Sequence, residues 1–215
     1  RVWHDLGLDI PVAVNLSVHQ LRQPDLEQRV REALRRHRVP ARMLIMEITE
    51  SVAMEDIEAS LRVFDMLDQI GVRLSIDDFG TGYSSLSILR RLDVDRLKID
   101  RAFVSGEQCV AEDSGIARMV LQLASQLGLQ TIAEGIETEA QRQVLGELGC
   151  DEGQGYHMSK PMPAAEFCDW VACWQVRAPA RPGLAAELAI GAPLLHLPTP
   201  EAPAALPLKG ASPTA

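Results

Sequence analysis

Cysteines, aromatic side chains and long apolar runs are all scarce in this sequence. Its 215 residues include 4 cysteines, which lack the spacing of a metal site, and only 4% aromatic residues. No run reaches the ~18 apolar residues of a membrane-spanning helix, and no signal peptide opens the chain. Basic residues are also few, 21 against 30 acidic ones, so the net charge is −9. This acidic balance disfavours binding to DNA or RNA duplexes, and we expect a cytoplasmic domain with reduced thiols.

Proline and alanine separate a tail from the body of the chain. Residues 178–215 contain eight of the 13 prolines and only four charged residues. A segment of this kind has no periodic apolar face, so burial cannot offset the entropy of ordering it. We therefore expect one folded domain over residues 1–177 and a disordered tail over residues 178–215.

The body alternates short strand-like runs with amphipathic helical patterns. Helical spacing of apolar residues predicts helices over 56–70, 116–127, 139–148 and 164–174. Alternation of strands and helices predicts an α/β fold with a parallel sheet. The predicted strands are Pro11–Leu16, Met43–Thr49, Val72–Asp77, Asp95–Ile99, Leu129–Ala133 and a short one near Cys150–Gly153.

A polar residue stands at or just after the end of each predicted strand. An open sheet would draw its site from one switch point, whereas a (β/α)8 TIM-like barrel collects side chains from many strands at its carboxyl-end mouth. We therefore expect a barrel with about six of its eight βα units present. The chain begins with Arg1 rather than Met, and we expect the other two units upstream of it. The polar residues are Asn15, Glu47, Asp77, Lys98, Glu134 and Gln154.

The acidic and amide residues near these strand ends offer only oxygen ligands. Such ligands suit Mg²⁺ or Mn²⁺, whereas zinc favours histidine or cysteine. We expect Asp77 and Asp78 to point in different directions and to serve two metal ions, an arrangement that recurs in phosphodiester hydrolysis. Ca²⁺, with its looser coordination, should inhibit. Lys98 among carboxylates should stay cationic and orient the attacking hydroxide. The candidate ligands are Asn15, Glu47, Asp77, Asp78 and Glu134.

A glycine-containing loop follows Asp78. Gly80 and Gly82 permit backbone angles that other residues avoid, so the loop can position the two adjacent aspartates. Glu50, just after the second predicted strand, is a candidate to hold this loop. We expect its carboxylate to accept hydrogen bonds from Thr81 or from backbone amides.

Six motifs in a fixed order carry a resemblance to a known family. They are Asn15-Leu-Ser17, Glu47-Ile-Thr-Glu-Ser51, Ile76-Asp-Asp-Phe-Gly-Thr-Gly-Tyr-Ser-Ser-Leu86, Leu97-Lys-Ile-Asp-Arg101, Ala133-Glu-Gly-Ile-Glu137 and Gln154-Gly-Tyr156. Together they resemble the bacterial EAL-domain family from about Val12 to Phe167. The resemblance implies a barrel that hydrolyses cyclic di-GMP to linear pGpG with Mg²⁺ or Mn²⁺. It also implies a homodimer, with sensor or synthase domains possible upstream and membrane attachment of the longer protein left open.

The resemblance further implies roles for individual residues. Lys98 looks like the residue that positions the nucleophilic water, with Glu134 and Glu137 as catalytic partners. The residues that resemble the substrate groove are Gln154, Ser159 and Pro161. The residues that resemble the element coupling dimerisation to metal binding are Glu50, Gly80, Thr81 and Gly82.

The family's Glu-x-Leu motif belongs to an earlier strand that is absent here, and with that strand goes one expected metal ligand. Two alternatives to the enzyme therefore stay open. An EAL domain can sense cyclic di-GMP or bind a partner without turnover. A different phosphate-binding barrel, such as an aldolase, would need a phosphate-gripping glycine loop after the late strands, and Gly153–Gly155 is a poor candidate for one.

Overall fold

The computed structural model describes residues 1–82, 86–104, 114–177 and 195–196. Six parallel strands lie side by side in chain order, each paired with the next, so the predicted parallel sheet is confirmed. This is the architecture of an incomplete (β/α)8 barrel. The strands are β1 (Val12–Asn15), β2 (Leu44–Thr49), β3 (Arg73–Phe79), β4 (Arg96–Ile99), β5 (Gln130–Ala133) and β6 (Glu152–Gly153).

Helices connect these strands. The four helices predicted over 56–70, 116–127, 139–148 and 164–174 are all present. The helices are α1 (Val2–Asp5), α2 (Val18–Leu21), α3 (Leu26–His37), α4 (Glu50–Glu55), α5 (Ile57–Ile70), α6 (Leu86–Leu89), α7 (Ser114–Leu127), α8 (Glu139–Glu147) and α9 (Ala164–Arg177). Two short 3₁₀ turns precede β2 and follow β4, at Ala41–Met43 and Arg101–Phe103.

The tail contributes one short element to the sheet. Residues Leu195–His196 form β7, which pairs with β6 in antiparallel orientation. The expected disorder of residues 178–215 otherwise lies outside the described residues. Among the described helices, none is long and apolar enough to cross a membrane.

The core lies between the sheet and its helices. Strand residues Ile48, Leu74 and Leu97 are almost fully buried, and Phe64 and Leu67 of α5 belong to the same cluster. This follows from the period of two along a strand, which turns alternate side chains towards the helices and leaves the others for the barrel interior. Burial is least on β1, whose four residues are all exposed.

Helix α3 was not among the predicted helices, because its sequence is dominated by charge. Only Leu26 and Val30 are buried, while four arginines alternate with acidic and polar residues on the outer face. The helix ends at Arg38, whose backbone is left-handed with φ 51°. Charged residues hide the apolar period of such a helix, and packing against the body decides its presence.

A buried ion pair crosses the inside of the sheet below the strand ends. Arg96 on β4 donates from Nη1 to Glu152 Oε2 on β6 at 3.3 Å, and both side chains are at least 94% buried. Each residue follows an aspartate that accepts an amide hydrogen from the neighbouring strand, Asp95 from Leu74 and Asp151 from Thr131. Burial lowers the pKa of Arg96, and the Glu152 carboxylate opposes that shift.

Removing one partner of this pair is expected to destabilise the protein strongly. Arg96→Met removes the guanidinium that faces the buried Glu152 carboxylate and should lower the free energy of unfolding by about 3–5 kcal/mol. The double variant Arg96→Met/Glu152→Leu should recover most of the loss. Urea unfolding measures both changes. The matched control is Arg91→Met, which breaks the exposed pair with Glu58 and should cost less than about 1 kcal/mol. If Arg91→Met lowered the free energy of unfolding as much as Arg96→Met, this prediction would be contradicted.

Candidate active site

The ammonium group of Lys98 lies among three carboxylates at the carboxyl ends of the strands. Its Nζ is 3.2 Å from Glu47 Oε1, 3.1 Å from Asp77 Oδ1 and 2.5 Å from Glu134 Oε1. The lysine side chain is 5% exposed, and the three acids are 12–20% exposed. Strands β2, β3 and β4, together with the residue after β5, therefore meet at one point, as the strand-end pattern predicts.

The charges of this cluster shift the pKa values of its members in opposite directions. Burial lowers the pKa of Lys98, but the hydrogen bond to Glu134 and the charges of Glu47 and Asp77 outweigh it and raise the pKa above its usual range. Burial raises the pKa of Glu134; the Lys98 ammonium opposes this, and the neighbouring carboxylates add to it. Lys98 is therefore protonated across the physiological pH range.

A β-bulge turns Asp78 towards the same site. Ile76 pairs with Leu97 and Phe79 with Ile99, so β3 has one residue more than β4 over this stretch. Asp78 takes the left-handed conformation, with φ 54°, which a non-glycine residue rarely adopts. The expectation that Asp77 and Asp78 point in different directions is therefore wrong, because the bulge overrides strand alternation. One oxygen from each of these residues and from Glu134 lie within 4.8 Å of one another.

Asp100 is a site residue that the sequence analysis missed. It follows β4, shares a side-chain hydrogen bond with Asp78 and accepts the amide hydrogen of Ala102 at 2.8 Å. Burial, the Asp77 charge and this hydrogen bond together raise the pKa of Asp78. Asp100 could have been predicted from the sequence, because it stands at a strand end inside the Leu97–Arg101 motif.

The donor set fits a divalent cation. The oxygens of Asp77, Asp78 and Glu134 are hard ligands of the kind that Mg²⁺ and Mn²⁺ prefer. Together with Glu47 they supply four carboxylates against the single ammonium of Lys98. A bound cation would offset this surplus of negative charge and so lower the raised pKa values of Asp78 and Glu134.

Glu50 ties the loop after β3 to α4. Its side chain is 1% exposed, and Oε2 accepts amide hydrogens from Gly80 at 2.8 Å and Gly82 at 3.3 Å. Gly80 has φ 98°, a conformation that requires glycine. Thr81 donates instead to the carbonyl of Asp78 at 2.8 Å. Of the two expected kinds of donor to Glu50, the structure shows the backbone amides.

The remaining predicted residues surround the cluster without joining it. Asn15 is exposed and pairs in register with Glu47 on the neighbouring strand. Glu137 and Gln154 follow β5 and β6 and are exposed. The hydroxyl of Ser159 donates to the carbonyl of Lys160, and Pro161 is exposed. Within the described residues, none of these five side chains hydrogen-bonds to the carboxylates around Lys98.

Comparison with known proteins gives a match over most of the chain. The sequence profile of the EAL domain matches residues 1–161. The chain belongs to the EAL domain family. It spans only about a fifth to a quarter of the length of its similar curated relatives. The signaling protein YkoW of Bacillus subtilis is 42% identical over 167 residues, which cover 78% of this chain and 21% of YkoW.

Two solved EAL structures are similar in fold and sequence. One is the phosphodiesterase MucR of Pseudomonas aeruginosa in complex with c-di-GMP, with a TM-score of 0.70 and 46% identity over 73% of this chain and 70% of that one. MucR is a bifunctional diguanylate cyclase and cyclic di-GMP phosphodiesterase. The other is the EAL domain of Mycobacterium smegmatis DcpA, with a TM-score of 0.75 and 38% identity over 83% of this chain and 80% of that one.

In this EAL domain two mouth loops are joined beside the cluster. Ile136 donates its amide hydrogen to the carbonyl of Gln154 at 3.1 Å, and His157 donates to the carbonyl of Ile136 at 3.0 Å. A Cβ on Gly155 would lie 2.1 Å from the Ile136 carbonyl oxygen, so only glycine permits this approach. Glu139 completes the junction by accepting from His157 Nε2 at 2.9 Å.

The carboxylate of Glu139 also binds Arg142 through two guanidinium nitrogens and accepts from Gln143 at 3.2 Å. The hydrogen bond to Arg142 is the largest influence on this carboxyl group, and with His157 it lowers the pKa of Glu139 to about 2. A depressed pKa means that these contacts stabilise the folded state fully above the unfolded pKa of about 4.3. The stabilisation is lost as the pH falls towards 2.

Glu139→Gln is expected to lower the free energy of unfolding by about 1 kcal/mol at pH 7, after allowing for solvent screening of a carboxylate that is about a third exposed. The difference from the unaltered protein should narrow as the pH falls from about 4.5 towards 2. Urea unfolding at a series of pH values measures it. Glu147→Gln, on the same helix, is the control. A difference that stays constant with pH would refute the assignment.

Proposed function

We propose that this EAL domain hydrolyses cyclic di-GMP to linear pGpG. The observation that carries the proposal is the Lys98 ammonium held among Glu47, Asp77 and Glu134, with Asp78 turned towards them by the bulge. Carboxylates that bind cations, beside a fixed positive charge, are what hydrolysis at phosphorus requires. The similarity to MucR, a cyclic di-GMP phosphodiesterase, supports this substrate.

The proposed cofactor is a pair of Mg²⁺ or Mn²⁺ ions. The residues that would hold them are Asn15, Glu47, Asp77, Asp78 and Glu134. Such ions, when bound, lower the pKa of a coordinated water and offset charge on the phosphodiester oxygens. Ca²⁺ is expected to inhibit because its coordination is larger and less strict.

The protein's own groups orient and stabilise the reacting atoms in this proposal. Lys98 keeps its proton, since its raised pKa lies above the working pH, and its Nζ orients the attacking water as a donor. Glu134, hydrogen-bonded to Lys98, and Glu137 are the proposed catalytic partners. The residues proposed to line the substrate groove are Gln154, Ser159 and Pro161.

Three further parts of the proposal concern the protein around the site. The loop with Gly80, Thr81 and Gly82, held by Glu50, is proposed to couple a homodimer contact to metal binding. The domain is proposed to be cytoplasmic and to extend over residues 1–177. In a longer protein a sensor or synthase domain can precede it, as MucR combines a cyclase with its phosphodiesterase.

Asp77→Asn is expected to abolish hydrolysis while the protein stays folded, because two carboxylates, Glu47 and Glu134, still compensate the Lys98 charge and Asp77 is not part of the apolar core. Glu47→Gln should do the same. Formation of pGpG is measured by liquid chromatography with Mg²⁺ or Mn²⁺, using the 215-residue chain and, in parallel, the product of its full coding sequence. Asp93→Asn, exposed before β4, is the control.

Retained turnover in either variant would refute the assignment of these carboxylates. If the unaltered full-length product binds cyclic di-GMP without hydrolysing it, the proposal of an enzyme is wrong and a sensor takes its place. Calorimetry with cyclic di-GMP distinguishes these two results, because it detects binding without turnover.

Glu50→Ala is expected to weaken Mn²⁺ binding about 10–100-fold, as loss of a group that orients metal ligands commonly does. The amides of Gly80 and Gly82 lose their acceptor, so the loop after Asp78 is no longer fixed. Titration of Mn²⁺ by electron paramagnetic resonance measures the affinity, and thermal unfolding should change little. Glu55→Ala, an exposed residue of the same helix, is the control. Unchanged Mn²⁺ affinity in Glu50→Ala would contradict the coupling.

A further inference from the structure

The positive charge of this acidic chain is concentrated in one short stretch. The whole chain has a net charge of −9, yet residues 29–42 contain six arginines and a single acid, Glu32. That stretch therefore has a net charge of +5, and the rest of the chain has −14. The arginines are Arg29, Arg31, Arg35, Arg36, Arg38 and Arg42.

Arg31 pairs with Glu27 and Arg29 donates to Gln23, but the other four arginines have no side-chain partner in the part of the chain that the structure describes. They form a basic cluster of Arg35, Arg36, Arg38 and Arg42, and all four side chains are exposed. Some other exposed arginines are paired with acids. Arg22, Arg31 and Arg91, for example, bind Glu55, Glu27 and Glu58 respectively. The basic cluster is therefore a local surplus of positive charge that the described chain does not neutralise.

Arg38 adopts a backbone conformation that is strained for a residue with a side chain. Its backbone is left-handed, with φ 51° and ψ 46°, directly after α3. Directly after α5 and α7 the chain has Gly71 and Gly128, each with positive φ, and Gly149 has positive φ two residues after the end of α8. Glycine adopts this conformation without the strain that a side chain brings. A strained arginine where glycine would be free of strain is a sign of a role for its side chain.

A groove lies against the basic cluster. It has a volume of about 470 Å³ and an apolar floor that includes Leu34, Val39, Pro40 and Ile70. Arg31, Arg35 and Arg38 line its rim. Its residues precede β2 and β3, so the groove is at the amino ends of the strands. The carboxylates around Lys98 are at the opposite ends, and an occupant of the groove would leave them accessible.

Stabilisation of α3 does not account for the whole cluster. Arg35 and Arg36 are in the last turn, where positive charge favours the negative end of the helix dipole. Arg38 and Arg42 lie beyond the helix end, and that effect falls off within one turn. Of these two, Arg38 lines the groove, where its charge is available to a ligand.

We propose that this groove binds an acidic protein segment that carries apolar side chains. The guanidinium groups of the basic cluster would pair with its carboxylates, and the floor would cover its apolar residues. A membrane surface is disfavoured because no large apolar side chain of α3 is exposed for insertion. A long duplex is disfavoured because the −14 on the rest of the chain repels an extended polyanion.

Fluorescence anisotropy of the whole chain with a labelled probe tests the proposal. The probe is a twelve-residue peptide of glutamate and leucine at helical spacing, and a lysine–leucine peptide of equal length is its counterpart. We expect only the acidic peptide to bind at 0.15 M salt. Changing all four arginines of the basic cluster to glutamine should weaken it at least about tenfold. The control removes equal charge elsewhere, through the changes Arg22→Gln, Arg90→Gln, Arg91→Gln and Arg118→Gln, and should leave binding unchanged.

The single variant Arg38→Gly separates an effect on peptide binding from an effect on protein stability. It also tests the proposal if the fourfold variant fails to fold. Glycine relieves the left-handed strain, so Tm should rise by about 2–4 °C. The affinity for the acidic peptide should nevertheless fall, because one guanidinium is lost. A purely structural role of Arg38 would not give these opposite changes.

Three results would overturn the proposal. One is no preference for the acidic over the lysine–leucine peptide, and another is unchanged affinity in the fourfold variant or in Arg38→Gly. The third is binding to phosphatidylserine vesicles or to a 20-base-pair DNA duplex, lost in the fourfold variant, without binding of the peptide. That result would assign the basic cluster to a lipid or nucleic-acid phosphate instead. None of these results bears on hydrolysis of cyclic di-GMP.

Discussion

The balance of charge around Lys98 is the constraint on which the rest of this structure depends. Three carboxylates from β2, β3 and the end of β5 would repel one another at this distance without the ammonium between them. Lys98, in turn, could not be 95% buried without those carboxylates. Each of the four strands β2 to β5 is therefore tied to another at the mouth by an ion pair, and a surplus of negative charge is left for a cation.

Backbone conformation then sets which oxygens reach that point. Asp78 is on the same side as Asp77 only because the bulge gives it a left-handed backbone. The loop that follows is fixed by the buried Glu50 carboxylate rather than by the sheet. On the other side, the approach of Gly155 to Ile136 joins the loops after β5 and β6. The strand ends therefore supply the side chains of the site, and the loops that follow them fix its final geometry.

The charged residues differ between the carboxyl ends of the strands, the interior of the sheet and the outer surface near the amino ends. At the carboxyl ends the carboxylates are partly exposed, and their negative charge exceeds the positive charge of Lys98. Below them, the charges of Arg96 and Glu152 are buried and compensate each other. This ion pair joins two strands but leaves no net charge for a ligand. On the outside, near the amino ends, the basic cluster is exposed and unneutralised in the described chain. Exposed, unbalanced charge therefore occurs at two places, and we propose a phosphodiester as the ligand of one and an acidic protein segment as the ligand of the other.

The order of the six parallel strands, and the residues Glu47, Asp77, Lys98 and Glu134 at or just after their ends, could be predicted from the sequence. This is possible because alternation along a strand is local, and parallel strands in a barrel bring their carboxyl ends to one mouth. The direction of Asp78 could not be predicted, because a bulge is an offset between two strands and forms only when they pair. The same holds for the Arg96–Glu152 pair and for the unpaired arginines at the end of α3 and beyond it, since a partner distant in sequence is present or absent only once the chain has folded.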